Sequence, residues 1–327
     1  MTDVMLEAHN LVKRYDGVLA IDHVSMEVRR GEVLGFLGPN GAGKSTTMKI
    51  LTCFTSPSEG TAKVHGCDIL NDSIGVRRSI GYLPESTALY HDMLVLEYLE
   101  FAAEMRGITG ADVRKRLKLV VEETGLGDVI TKEIRALSKG YKQRVGLAQA
   151  LIHEPPILIL DEPMSGLDPN QAVEIRDLIK EIGKLRTVIL STHNLAEVQV
   201  ACNRVLIISK GKIVADDTPA GLQDRAGKSR CVVTIQKTGD PSQAEAAFAA
   251  VGGVERARKI PSDDDELSFE VFPRANDDLR PGLFKAAVDK GYTLIGLRRE
   301  GQNLEQVFRE LTTDVTAAPT EKPKAAA

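Results

Sequence analysis

The residues that most constrain this chain are Gly38-Pro39-Asn40-Gly41-Ala42-Gly43-Lys44-Ser45-Thr46, which fit the pattern G-x-x-x-x-G-K-[ST]. They stand directly after the apolar run Val33 to Leu37 and before a helical stretch. Glycines here let the backbone curl until its N–H groups converge on an anion. The helix N-terminus that follows adds unpaired donors and a partial positive charge. The pattern therefore predicts a strand–loop–helix unit that cradles the phosphates of a nucleotide. Lys44 would reach the β- and γ-phosphates, and the Ser45 hydroxyl would bind Mg²⁺. The alternative is a fortuitous glycine-rich turn, and the flanking strand and helix weigh against it.

A second apolar run, Ile157-Leu158-Ile159-Leu160, ends in Asp161-Glu162-Pro163. A carboxylate at the carboxyl end of such a strand would sit beside the phosphate loop, so Asp161 is expected to bind Mg²⁺, through water. Glu162, one residue on, would face the attacking water as general base or water-positioner. Taken alone, the pair reads equally well as an acidic strand exit. The phosphate loop tips the balance.

From Met5 to about Asp217 short apolar strands alternate with amphipathic helices: strands at Val33 to Leu37, Ile80 to Leu83, Ile157 to Leu160, Val188 to Leu190 and Val205 to Ile208, helices at Gln171 to Ile182 and Leu195 to Ala201. That rhythm argues for α/β layers around a largely parallel sheet. Val18, Ala20, Val24, Met26 and Val28 fall at even spacings, the pattern of a half-buried antiparallel strand. Near Thr218-Pro219 the rhythm changes. We divide the chain into a nucleotide-binding domain at 1–217, a linker at 218–229, a smaller α+β domain at 230–313 and a disordered tail at 314–327. The 327 residues suit two domains.

In the smaller domain the predicted order is strand Cys231 to Gln236, helix Pro241 to Ala250, strands Val254 to Lys259 and Leu267 to Phe272, helix Asp278 to Asp289 and strand Tyr292 to Leu297. This βαββαβ order is that of a ferredoxin-like fold. Ser268 and Glu270 alternate with Leu267, Phe269 and Val271, which predicts one wet sheet face. Asp263 to Glu266 reads as a solvated turn, since it lacks the glycine and distal glutamate of a calcium loop. Leu304, Val307, Phe308 and Leu311 have the spacing of one more helical stripe.

Basic residues number 42 and acidic ones 46, and the chain has no Trp. Neither a global positive charge nor an aromatic stacking platform supports nucleic-acid binding. No apolar run approaches the roughly 18 residues of a membrane span, and the N-terminus has no secretory pattern. Cys53, Cys67, Cys202 and Cys231 lack zinc spacing and read as reduced thiols in the cytoplasm.

Leu137-Ser138-Lys139-Gly140-Tyr141-Lys142-Gln143-Arg144, just upstream of Asp161, resembles the signature motif of the ATP-binding cassette (ABC) family, usually written LSGGQ. Further marks of that family follow its order: Tyr15 where an aromatic stacks on adenine, Ser165-Gly166-Leu167-Asp168 as the D-loop, and His193 as the switch histidine. The resemblance covers residues 5 to about 217. It implies a P-loop NTPase cassette with antiparallel β and helical subdomains, an ATPase using ATP and Mg²⁺, with Lys44, Glu162 and His193 catalytic. It also implies that Ser138, Lys139, Gly140 and Tyr141 meet the γ-phosphate held by an opposite subunit. The chain would then act as a homodimer or a heterodimer with another ABC subunit, at the cytoplasmic face of a membrane. A permease on a separate chain would hold it there. Ser138 taken alone would be an ordinary helix cap, His193 a strand-end histidine and Tyr15 a half-buried strand aromatic.

Two positions depart from the family pattern. Glu85 stands where most members have glutamine, placing a carboxylate near the metal and phosphates. Lys139 and Tyr141 replace Gly and Gln of the signature, and Lys139 adds positive charge near a triphosphate. With the extra C-terminal domain and Asn303-Leu304-Glu305-Gln306-Val307-Phe308, the chain is similar to ABC-2 class subunits of the gliding-motility, drug-resistance and copper-centre-maturation branch, which points to export. In the family, the helical stretch carrying Leu89, Tyr90, Met93, Leu96, Tyr98, Leu99 and Phe101 forms a groove for a permease helix; without the resemblance it reads as plain helical core. Two other classes compete: a soluble ABC protein of chromosomes or ribosomes, and a protein that binds ATP for regulation. The short span from Lys44 to Ser138 and the single cassette weigh against the first. Intact Lys44, Asp161, Glu162 and His193 weigh against the second.

Overall fold

The computed structural model describes residues 4–225, 230–237, 240–263, 265–274, 277–300, 308, 309, 311 and 312. The chain forms two compact units: Met1–Pro219, to which Leu311 and Thr312 also belong, and Ala220–Glu310.

The first unit begins with β1 (Val4–Tyr15), β2 (Val18–Arg29), β3 (Val33–Leu37), α1 (Lys44–Leu51), β4 (Glu59–Val64) and β5 (Cys67–Asp68). It continues through α2 (Ser73–Ser79), β6 (Ile80–Leu83), α3 (Val95–Met105), α4 (Ala111–Thr124) and α5 (Lys139–Leu151). It closes with β7 (Ile157–Asp161), α6 (Pro169–Gly183), β8 (Thr187–Thr192), α7 (Leu195–Ala201), β9 (Arg204–Ser209) and β10 (Lys212–Asp217).

Six strands make one sheet in the order β10-β9-β3-β8-β7-β6, parallel except for the edge strand β10. Every residue of β3, β7 and β8 is buried, as expected for strands covered on both faces. A separate antiparallel sheet runs β2-β1-β4-β5. One apolar cluster joins Leu11, Ile21 and Val24 of that sheet to Met48 and Leu51 of α1 and to Phe36, Ile159 and Ile189 of the parallel sheet. The phosphate-loop helix is thus wedged between two sheets, and its N-terminus is fixed from both sides. Among the described residues no helix is long and apolar enough to cross a membrane.

The even spacing expected for Val18 to Val28 breaks in the middle of β2. Ile21, Val24, Met26 and Val28 are buried, but Val18 is 68% exposed. The register slips between Leu11↔Val24 and Lys13↔Ile21, and His23 takes a left-handed φ of 54°. The bulge there inserts one residue and brings Ile21 inward; a second slip lies between Lys13↔Ile21 and Arg14↔Leu19, and Leu19 and Val18 at the start of the strand are both exposed.

After α8 (Pro219–Arg225), whose first residue belongs to the first unit, the second unit contains β11 (Arg230–Gln236), α9 (Pro241–Ala249), β12 (Val254–Ile260), β13 (Glu266–Pro273), α10 (Arg280–Asp289) and β14 (Leu294–Glu300). Its sheet is antiparallel in the order β12-β13-β11-β14, which is 4-1-3-2 read from β14 in the unit's own count, the ferredoxin-like arrangement. Phe248 of α9 and Leu283 of α10 pack on Val233, Phe269 and Val271.

The wet face expected for β13 is corrected. Ser268 and Glu270 are both under a tenth exposed. β13 lies inside the sheet, where neighbouring strands bring polar partners. The Thr234 hydroxyl pairs with that of Ser268 at 2.9 Å, and Arg230 and Arg258 each approach Glu270 at 2.6 Å. Glu270→Ala should cost about 1–3 kcal/mol, because it leaves two guanidiniums without their shared carboxylate. Denaturant unfolding of the full chain would show a lower midpoint for the second unit, with ATP binding unchanged. Asp264, residues 226–229, Leu304 and Val307, Asn303 to Gln306 and the expected tail at 314–327 lie outside the described residues.

Candidate nucleotide site

The loop after β3 needs its glycines for space. A Cβ on Gly38 would lie 2.5 Å from the Ile208 carbonyl oxygen, and one on Gly43 2.7 Å from Ile21. Gly43 also has a φ of 110°, a region that side chains exclude. The loop is braced by the Gly38 N–H on the Thr192 carbonyl at 3.3 Å and by the Gly211 N–H on that of Ala42 at 2.9 Å. It borders a cavity of about 340 Å³ lined by Ala20, Asn40, Gly41, Gly43, Lys44, Ser45, Thr46, Glu85, Glu162, Ser165 and His193.

Lys44 is 6% exposed, and its ammonium donates to the Gly38 carbonyl at 2.8 Å. It also lies 3.2 Å from Glu162 Oε1, so cation and carboxylate neutralise each other where burial would otherwise penalise both. Glu162 Oε2 meets His193 Nδ1 at 2.9 Å. The Glu162 backbone is left-handed, with a φ of 50°, an uncommon choice for a residue with a side chain. Asp161, at the end of β7, is 1% exposed and accepts from the Ser191 hydroxyl. Glu85 borders the cavity with Ser45. With burial as the larger cause, the charges of Asp161 and Glu85 push the Tyr82 hydroxyl well above the usual phenol range.

The other predicted residues are not gathered around this cavity. Tyr15 is 42% exposed at the end of β1, with the Lys13 ammonium 5.0 Å above its ring. Ser138 caps α5, accepting from the Tyr141 N–H at 3.4 Å. Gly140 is buried, and its N–H donates to Gln171 Oε1 at 3.1 Å. Asp168 caps α6, accepting from the Gln171 N–H at 3.0 Å. Lys139 reaches back to the D-loop, its Nζ 2.2 Å from where a Cβ on Gly166 would stand. Pro39 and Ala42 support the loop without bordering the cavity.

Three residues escaped the sequence reading. Ser191 stands between Asp161 and Glu162. Gln171 ties the signature helix to the D-loop helix. Glu197 accepts from the Thr192 hydroxyl at 2.6 Å and from the Asn194 amide at 3.1 Å, and its carboxylate feels the nearby His193. Burial, more than the nearby Glu162 charge, raises the Glu197 carboxyl above the ordinary glutamate range. Asp168-x-x-Gln171 has capping-box spacing, a legible signal, but Gln171 points to Gly140 rather than back to its own cap. Ser191 carries no such local signal, because its contacts come from the pairing of β8 with β7.

A phosphate cradle between strand and helix, a strand-end carboxylate pair and a histidine on that pair define a P-loop nucleoside triphosphatase. The family model described as ABC transporter matches residues 21–165. The linearmycin resistance ATP-binding protein LnrL of Bacillus subtilis is 31% identical over 94% of this chain and 98% of its own length. The doxorubicin resistance ATP-binding protein DrrA of Mycobacterium tuberculosis is 34% identical over 93% and 91%. A solved structure of the ATP-binding cassette MJ0796, described as a dimeric post-hydrolysis state bound to ADP and Pi, superposes with a TM-score of 0.61 at 25% identity, over 66% of this chain and 99% of that one. The chain belongs to the ABC transporter family. It is an ATP-binding subunit and an ATPase.

Proposed function

We propose that this subunit powers export through a permease on a separate chain, working as a dimer in which each ATP lies between the phosphate loop of one cassette and the signature of the other. The observation that carries this reading is the division of the motifs. Lys44, Ser45, Glu162 and His193 share one cavity, whereas Ser138 to Tyr141 border none of it. A second cassette would bring its signature to that cavity, a reading that the dimeric structure described for MJ0796 supports. The resistance functions named for LnrL and DrrA support export. Tyr90 and Phe101, 58% and 38% exposed and packed edge to face, offer an aromatic rim for a permease helix. Such a partner would place the subunit at the cytoplasmic face of the membrane.

Among the described residues no group of three or more His, Cys, Asp or Glu side chains is poised to hold a metal. Mg²⁺ needs none, since it usually takes one or two carboxylates together with substrate phosphates. Ser45, Asp161 and Glu85 offer only hard oxygen donors, so they fit that ion. When bound it neutralises charge on the phosphates. The protein's own residues do the rest. Loop N–H groups and Lys44 orient the triphosphate. When Lys44 turns to the phosphates it releases Glu162 Oε1, which then accepts a proton from the attacking water. His193 holds Oε2 and so fixes the carboxylate plane.

Ser138→Ala tests the division of motifs. ATP binding to the isolated chain should stay within about twofold, and turnover and ATP-driven dimerisation should fall at least about tenfold. Loss of the helix cap itself costs only about 1 kcal/mol. Nucleotide titration beside light scattering measures both, and equal loss of binding in the monomer would overturn the composite site.

A further inference from the structure

Ser191 is wholly buried at the carboxyl-terminal end of β8, where the parallel register sets it beside Asp161 of β7. Its hydroxyl donates to Asp161 Oδ1. Ser191 Oγ in turn accepts from the Glu162 N–H at 3.2 Å, and the Ser191 carbonyl accepts from that N–H at 3.1 Å. One residue therefore grips two neighbours with different tasks. The carboxylate of Asp161 is fixed in rotation. The Glu162 backbone is held in its left-handed turn, which swings the side chain out of the strand line toward Lys44 and His193. A non-glycine residue leaves such a conformation unless its surroundings hold it. Two residues further on, the same strand end supplies His193, so base, metal-side carboxylate and switch histidine are tied to one point.

We infer that Ser191 is a positioning residue for ATP hydrolysis, setting the orientation of both Asp161 and Glu162. Wholly buried and outside the cavity lining, it acts only through those two carboxylates. The inference rests on the reading of Glu162 as the base and Asp161 as the metal-side carboxylate.

The test uses the full chain. In Ser191→Ala, kcat should fall about 10–100-fold with KM for ATP within twofold, the usual size of an outer-shell loss at a metal site. Mn²⁺ affinity, read by electron paramagnetic resonance with a non-hydrolysable ATP analogue, should fall by a similar factor. Binding of that analogue without metal should not change. Ser191→Thr keeps the hydroxyl and should restore both values. Ser191→Cys keeps the volume but offers a weak donor, and should behave like Ala even where the extra methyl of Thr prevents folding. Wild-type kcat and Mn²⁺ affinity in Ser191→Ala, or in Ser191→Cys, would overturn the assignment. So would a parallel fall in metal-free binding, which marks a merely structural role. Glu162→Gln assayed alongside separates the two levels. Retained turnover there removes the base, whereas lost turnover with an unaffected Ser191→Ala removes only the role of Ser191.

Discussion

Glu162→Gln should lower ATP turnover by about 10²–10⁴-fold while ATP binding stays within a few-fold of the parent chain, the range expected when a general base is lost. The amide keeps the shape of the side chain and can still hydrogen-bond His193, now 2.9 Å from Oε2. It cannot take a proton from water. It also removes a buried negative charge that lies 3.2 Å from the Lys44 ammonium, so Lys44 is freer to reach the phosphates and binding does not suffer. With hydrolysis blocked, the ATP-bound dimer should persist and elute at twice the monomer mass in gel filtration with Mg²⁺ and ATP. Near-normal turnover would take the catalytic role from Glu162. A loss of ATP binding as large as the loss of turnover would instead show that the charge builds the pocket.

The site was legible where a single residue type at a fixed spacing does the chemistry. Gly38 to Thr46 and Asp161-Glu162 follow from the phosphate's need for donors and the strand end's need for a carboxylate, and the strands that carry them are apolar on both faces. Contacts that depend on register were not legible. Ser191 acts because β7 and β8 are adjacent and in parallel register, and nothing in its local sequence states that pairing. Two register slips between Val24 and Leu19 break the alternation of β2, and Val18 at its start is exposed although its spacing places it with Val24. Glu270 looked wet because alternation reports one strand at a time, whereas its burial comes from arginines on β11 and β12. Gln171 lies 31 residues from the glycine whose N–H it accepts, too far for any local pattern.

Lys44→Ala should weaken ATP binding by about 2–5 kcal/mol, roughly 30- to several-thousand-fold, the cost of deleting one member of a buried hydrogen-bonded charge pair. Arginine should not rescue it. The ammonium sits 2.8 Å from the Gly38 carbonyl and 3.4 Å from that of Pro39, a curl of backbone acceptors that suits a compact point charge and not a planar fork. The same substitution removes the cation facing Glu162, whose side chain is 8% exposed, and so should lower the melting temperature of the free chain. Adding Glu162→Gln to Lys44→Ala should recover most of that melting temperature, because no uncompensated charge is left buried. It should recover none of the ATP affinity, because the phosphates still lack their cation. Calorimetric titration and thermal unfolding of the two single variants and the double variant separate these effects. Restored ATP binding in the double variant would mean that Lys44 serves only to neutralise Glu162 and does not reach the nucleotide.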